Sequence, residues 1–468
     1  MKANSDKSKQ SNKATRRVLA GVLCGSSVLS LVLSLVMPPI SQAIANDAQT
    51  VSTEETVMGG GSSSESTDVG NTNNGDTENQ NSDDAAGDDE IQQEEQPKDE
   101  SQAEENEAID DGAGSSAEEA VASEETATDI KNAGDLQGKL LGVEENQTAS
   151  FTLAADIDFP GEITLNKGGS NITLDLSGHK IKHSSADKPL FNVAGGASLT
   201  IRDSAQVGET VSEGQQLADQ GQSLNADNYD KNAANYGKNA ELTYDNDNIP
   251  SNLTYYVTES SPSGTGTTET LVKHDVEIKG AIVACGGNAN LKLINLYNNN
   301  GKGGTFNLVS GVITQKQGGS VSSLVYAENG STVNMSGGYV CGASGSPAGA
   351  GIMVSNEKGS ASTLNLTGGV IAGNSAYSGG GVYAKGSTVT ITNGVISGNS
   401  TLDSAGFGGG IMAEGGSVTV SGGYITNNKY ANFCGHDGYG DHGGAGLAAR
   451  NGTHVTISGG QITGNYSE

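Results

Sequence analysis

The densest set of metal-capable side chains in the 468-residue chain lies in NFCGHDGYGDHGG, residues 432–444. Cys434, His436, Asp437, Asp441 and His442 fall within nine positions there. Imidazole combined with carboxylate suits zinc or another transition metal, which makes His436, Asp437, Asp441 and His442 the candidate metal ligands. Their spacing matches no established ligand motif, and a glycine-rich loop enforces no geometry. A plain exposed loop is the competing reading. No other segment implies a cofactor.

A second group has the residue types for work on acidic polysaccharides. Asp175, Lys180, Arg202 and Asp203 stand at or beside outward positions of alternating segments. A lyase needs a cationic base for the proton alpha to a uronate, with another cation on the carboxylate. A hydrolase needs two carboxylates flanking the bond. Alternation demands polar residues at these positions in any case, so a solvated face competes with both. The third group is asparagine: Asn374, Asn399, Asn428 and Asn465 each close an Ile-x-x-Asn piece. Such residues stack into amide ladders in repeated structures; a glycan-binding stripe is the functional alternative.

The elements holding these residues are repeats. GGGVYAKG-STVTIT-NGVISGN (379–399) is followed by GGGIMAEGG-SVTVS-GGYITNN (408–428). The alternating pieces begin at Thr305, Thr332, Thr363, Thr388, Ser417 and His454, offset by 27, 31, 25, 29 and 37 residues. Earlier turns of the same scheme are 171–181 and 198–204. Strict alternation makes half-buried strands, and the Gly/Asn/Ser connections are too short for helices. Each strand then pairs with its equivalent one repeat later. The expectation is an all-β chain, a right-handed parallel β-helix solenoid rising about 4.8 Å per coil. A β-propeller blade is longer than this period, and a sandwich has no repeat. The absence of tryptophan and the 69 glycines suit a narrow interior. Gly380, Gly381, Gly409 and Gly410 are expected at corners with positive φ.

Two segments break the period. Residues 205–273, roughly, form a polar insertion carrying Tyr229, Tyr236, Tyr244, Tyr255 and Tyr256. It is expected to pack over one face, its tyrosines either structural or available to stack on sugars. The other is the 432–444 loop.

FTLAADIDF…NITLDLSGHKI…LFNVAGGASLTIRDS (151–204) resembles the opening coils of bacterial pectin-lyase-like β-helix proteins. The preceding IKNAGDLQGKLLG (130–142) matches the short capping helix that such proteins carry. The GGGVYA…ISGNS and GGGIMA…ITNN units are similar to repeats of polymorphic outer-membrane and adhesin-like surface proteins, with Ile371, Ile396, Ile425 and Ile462 where those have Phe. The resemblance implies the fold over 129–468. It supplies no catalytic set: the polygalacturonase motifs and the Asp-containing calcium-binding turn repeat are both missing.

The N-terminus reads as export. Residues 1–45 carry six bases and one acid, an uncharged run from Val18 to Met37, and a small-x-small site at Ala43-Ile44-Ala45. This is the order of a signal peptide cut between Ala45 and Asn46; uncleaved, it would be the chain's one membrane contact. Residues 46–128 hold 25 acids, one base and no aromatic residue, a composition for a disordered acidic linker. That segment carries most of the net charge of −30, while 129–468 has 18 bases against 29 acids. Nucleic acid is excluded as a partner, since phosphates would be repelled. After cleavage Cys285, Cys341 and Cys434 remain, an odd number in an oxidising setting. The final GGQITGNYSE lies within a coil pattern, so either sequence is missing beyond it or a partner covers that end. The functional expectation is a secreted or cell-surface rod, adhesin-like or binding glycans on a host or neighbouring cell. A polysaccharide lyase or hydrolase on the same coil is the alternative.

Overall fold

Alternating residues build the frame. A computed structural model describes residues 128–217, 236–264, 266–345, 348–357, 359–402, 406–431 and 443–467. The expected signal segment with its Ala45–Asn46 junction, the acidic segment through 127, and Cys434, His436, Asp437, Asp441 and His442 lie outside the described residues.

In Thr305–Leu308, Phe306 and Leu308 are buried, while Thr305 and Asn307 face outward. This strand pairs in parallel with Thr332–Cys341, Thr305 against Thr332 and Phe306 against Val333. The same register continues through Thr363–Ala372, Val382–Ser397, Ile411–Thr426 and His454–Thr463. In the other direction it runs back through Ser198–Arg202 and Asn171–Asp175 to Thr148–Leu153. We call this the first ladder.

A second ladder starts at Ile157–Phe159 and passes through Lys180–His183, Ala281–Ala284 and Val312–Gln315 into the distal halves of the long strands. A third joins Ile163–Leu165, Phe191–Ala194, Lys292–Tyr297, Ser323–Glu328 and Ile352–Ser355, then Leu447–Arg450 by way of the long strands. The chain visits the three ladders in turn and returns one coil further on. The result is an all-β, almost helix-free parallel arrangement consistent with a β-helix solenoid.

Like side chains stack inside it. On the second ladder Ile181, Ile282, Ile313, Val340, Ile371, Ile396 and Ile425 lie register on register, each at most 1% exposed. Each contributes about 1.5–3 kcal/mol by leaving water. At the N-terminal end the helix α1, Ala133–Leu141, lays Leu136 and Leu140 on this core. Asn132 caps it: its Oδ1 accepts from the Asp135 amide at 3.0 Å.

The corner glycines work differently from the expectation. Positive φ occurs at Gly379 (61°) and Gly408 (64°), not at the four glycines that follow them. Gly380 and Gly409 are needed for space: a Cβ there would come within 2.3 Å of the Ser400 carbonyl and 2.2 Å of the Lys429 carbonyl. Gly381 and Gly410 likewise make room for the neighbouring coil and for Asn399 and Asn428.

The last strand of the insertion, Gly266–Glu277, runs past residue 273. Among the described residues five strands form the insertion: Thr210–Val211, Gln215–Gln216, Glu241–Tyr244, Pro250–Ser263 and Gly266–Glu277, all antiparallel. The last two make a long hairpin, paired from Asn252–Glu277 to Ser263–Gly266. Leu253, Tyr255, Val257 and Val276 of the hairpin sheet pack on the outer side of the second ladder, against Val283, Val312, Cys341 and Ala372. The hairpin reaches the last coils as well. The Ser260 amide donates to Gln461 Oε1 at 2.8 Å, and the Thr258 amide to Thr426 Oγ1 at 3.0 Å.

Candidate functional site

The four polysaccharide-chemistry candidates serve the root of the insertion. Asp203 is 3% exposed; its Oδ1 accepts from the amides of Gly178 (2.7 Å) and Ala205 (3.1 Å), and its Oδ2 from Gly280 (2.7 Å). Asp175, equally buried, accepts from Ser177 and Ser204, both at 2.9 Å, and its other oxygen meets Arg202 Nε at 3.0 Å. Lys180 Nζ reaches Asp245 Oδ2 of the insertion at 3.1 Å. Carboxylates that hold several backbone amides fix loop geometry. The structure therefore brings these residues together as a clasp where the chain leaves and re-enters the coil.

The terminal asparagines are equally committed. Asn374, Asn399 and Asn428 are fully buried. Asn374 Nδ2 donates to Asn399 Oδ1 and to the Val340 carbonyl, both at 3.0 Å. Asn399 repeats this on Asn428 (3.0 Å) and Ile371 (2.9 Å), and Asn428 on Asn465 (3.0 Å) and Ile396 (2.9 Å). Asn465 ends the series on the Ile425 carbonyl at 2.8 Å. Each receiving Oδ1 also accepts the backbone amide one coil back. Burial and these bonds leave Asn374, Asn399 and Asn428 closed to a ligand, while Asn465, at the end of the series, is partly exposed.

Tyr236, Tyr255 and Tyr256 of the insertion follow the structural reading. The Tyr255 ring stacks on His274 at 4.6 Å between centroids, and its hydroxyl donates to Glu209 Oε2 at 2.6 Å. His274 Nδ1 lies 3.2 Å from Glu209 Oε1. The hydrogen bond from His274, against the opposing cost of burial and with help from Tyr255, holds the Glu209 carboxyl below its ordinary value. Burial pushes the Tyr255 hydroxyl far above its own, so it stays a donor. Tyr256 is 8% exposed and lies beneath Lys238 Nζ, 4.7 Å from the ring centre. Tyr236 donates to Glu269 Oε2 at 2.7 Å. Tyr229 is outside the described residues.

A further surface of regular composition is the outer side of the first ladder. Its outward positions form columns, one residue per coil. One column reads Thr305, Thr332, Thr363, Thr388 and Ser417; the next reads Asn307, Asn334, Asn365, Thr390 and Thr419. All ten are partly exposed, and none carries a charge. Beyond a one-residue register shift at the corner, Ser336, Thr367, Thr392 and Ser421 add an exposed hydroxyl rim.

This face carries a second asparagine ladder. Asn365 Nδ2 donates to Asn334 Oδ1 and Asn334 Nδ2 to Asn307 Oδ1, both at 2.9 Å. Asn307 Nδ2 in turn reaches Ser198 Oγ and Thr200 Oγ1 at 3.1 Å. Asn334 and Asn365 each keep an N–H and a lone pair for a partner in solvent, whereas Asn307 has spent both of its N–H groups. Sequence reasoning aligned TFNL, TVNM and TLNL for their apolar parity and passed over their shared Asn, which was the available signal.

Along the N-terminal part of this face, the turns leading into Thr148, Asn171, Ser198 and Thr305 enclose a polar depression of about 490 Å3, lined by Glu145, Asn146, Asn166, Asn300 and Lys302 among others. Gly169 belongs to its wall: a Cβ there would lie 2.3 Å from Asn146 Oδ1. Amides and hydroxyls in fixed columns can bind a partner by neutral hydrogen bonds.

Among the described residues, no group of three or more His, Cys, Asp or Glu side chains is placed to hold a metal, and Cys285 and Cys341 are free thiols. No helix among them is long and apolar enough to cross a membrane. No protein-family model, curated protein or solved structure matches the chain.

Proposed function

We propose that this chain is an exported, surface-displayed β-helix rod that binds glycans through the outer side of its first ladder, in the manner of an adhesin. In this reading the coil is right-handed, the sense that parallel crossovers take, and of the pectin-lyase-like kind. The N-terminal 45 residues direct export, and the acidic stretch up to residue 128 is a spacer holding the rod away from its point of attachment. The observation that carries the reading is the pair of uncharged columns, Thr305 to Ser417 and Asn307 to Thr419, presented partly exposed in constant register. The enzyme alternative loses support from the use of Asp175 and Asp203 as backbone anchors.

Two assays decide between them. The purified chain is screened on a glycan array and on cultured epithelial cells, and in parallel incubated with pectin, alginate and glycosaminoglycans. Retention on glycans without chain cleavage is the expected outcome. Release of unsaturated uronate products, seen by their ultraviolet absorbance, would replace the rod by a lyase.

A further inference from the structure

Resting on that reading, we infer the class of ligand: an uncharged, extended polysaccharide lying along the coil axis on the first ladder's outer side, recognised by the Asn334–Asn365 amides and the Thr390 and Thr419 hydroxyls. Three features of the surface lead there.

The first is charge. Across five successive coils, from Thr305 to Ser417, both columns contain only hydroxyl and amide groups. A uronate, sulfate or sialate would meet no cation on them. The folded region itself has 18 bases against 29 acids, so an anionic polymer is repelled at long range. A neutral glycan suffers neither penalty.

The second is hydrogen-bond chemistry. Asn334 uses one N–H on Asn307 and one lone pair on Asn365, which leaves one donor and one acceptor. Thr390 and Thr419 each present a hydroxyl that can donate and accept. Sugar hydroxyls have this same dual character.

The third is repetition. Parallel strands in constant register place equivalent groups about 4.8 Å apart along the axis, close to the rise of one pyranose unit in an extended β-linked chain. Side-chain ladders such as Asn307–Asn334–Asn365 hold stacked strands flat. The columns contain no aromatic platform, so each coil contributes little and affinity must come from many coils engaged together. The ligand is then a polymer, and its affinity rises with length.

The test uses the full chain immobilised against galactomannan, xyloglucan and dextran as neutral probes, with polygalacturonate and hyaluronate as charged ones. The expected result is retention of at least one neutral polymer, little changed between low and high salt and weakened at least tenfold when the polymer is cut to short oligomers. Asn334→Arg and Thr390→Arg place bulk and charge on the columns and should weaken binding at least tenfold. Thr390→Ser, which keeps the hydroxyl, should bind nearly as well as the parent, with circular dichroism verifying the fold of each variant. Binding confined to the charged polymers, or lost in salt, overturns this inference and leaves the glycan-binding rod standing. Neutral binding untouched by both Arg variants overturns the site. No retention of any of the five polymers, together with a blank glycan array, overturns the rod reading itself.

Discussion

Two sides of the same coil are built on nearly identical backbone and carry opposite surfaces. The second ladder turns Val283, Val312, Cys341 and Ala372 outward, and the insertion's hairpin covers them until each is fully buried. The first ladder turns threonine, serine and asparagine outward, and they remain partly exposed. Parallel pairing with constant register sets where the outward positions fall; the residue types at those positions decide whether the sheet face becomes interior or surface. A sheet buried on both sides reads as an unbroken apolar run, whereas one buried on a single side alternates. AIVA (281–284) and TVTI (388–391) show the two patterns within one fold.

The largest expected effects lie on the sealed side. Val283→Asp places a carboxylate in the apolar contact beneath the hairpin, and Leu253→Ala removes a fully buried side chain from its other half. Leu253→Ala should cost about 2–5 kcal/mol, and Val283→Asp at least as much, since a buried charge finds no partner there. Denaturant melts of the two variants measure this. The equivalent change on the open side, Thr390→Asp, should shift the melt by about 0.5 kcal/mol or less. Equal losses on the two sides would erase the distinction between them.

The two asparagine ladders sharpen the comparison. Asn399→Ala strands the Asn374 side-chain and backbone donors and the Ile371 carbonyl in the interior, a loss of about 1–3 kcal/mol for an unsatisfied group. Asn334→Ala removes two side-chain hydrogen bonds, one donated to Asn307 and one accepted from Asn365, that water can replace. It should leave stability within about 0.5 kcal/mol of the parent, with its effect appearing in glycan retention instead.

Acid should act on the hairpin and spare the open face. His274 holds the Glu209 carboxyl below its ordinary value. That contact therefore adds stability that is fully present above the unfolded glutamate value of about 4.3 and is lost as pH falls through the lower folded value. Hydrogen exchange of 250–277 should accelerate in that acidic window, and Glu209→Gln should reduce the pH step, leaving the part due to Asp275, whose carboxyl Lys273 and Thr254 also hold low. The columns of the first ladder, lacking titratable groups from Thr305 to Ser417, should show no such step.

The smallest effect is a labelling difference. Burial beneath the hairpin pushes the Cys341 thiol up to about 12, so iodoacetamide should leave it unmodified at neutral pH while the fold is intact. Peptide mapping after Leu253→Ala should show Cys341 labelling if the hairpin has lifted, which makes the thiol a reporter of the cover.

Much of this was legible in the sequence. The offsets between the alternating pieces are the register steps of the first ladder, and the apolar parity of TFNL or TVTI gives the side facing the interior. The buried ladder of Asn374 to Asn465 was visible for the same reason, since a residue recurring at a corner must stack. Other features depended on contacts between distant segments. Whether Gly380 serves φ or space depends on the Ser400 carbonyl one coil away. Asp175 and Asp203 look alike as catalytic acids or as backbone anchors until the return of the chain at Gly280 is known. The insertion's cover was foreshadowed only by the loss of alternation in AIVA and VITQ, which a short apolar run leaves ambiguous.

Hydroxyl-radical footprinting of the chain with and without a neutral polysaccharide tests the central claim most directly. The account predicts protection confined to the first ladder, at 305–309, 332–336, 363–367, 388–392 and 417–421, with the hairpin at 250–277 unchanged. Protection of the hairpin, or none on the first ladder while the polymer is bound, would contradict it.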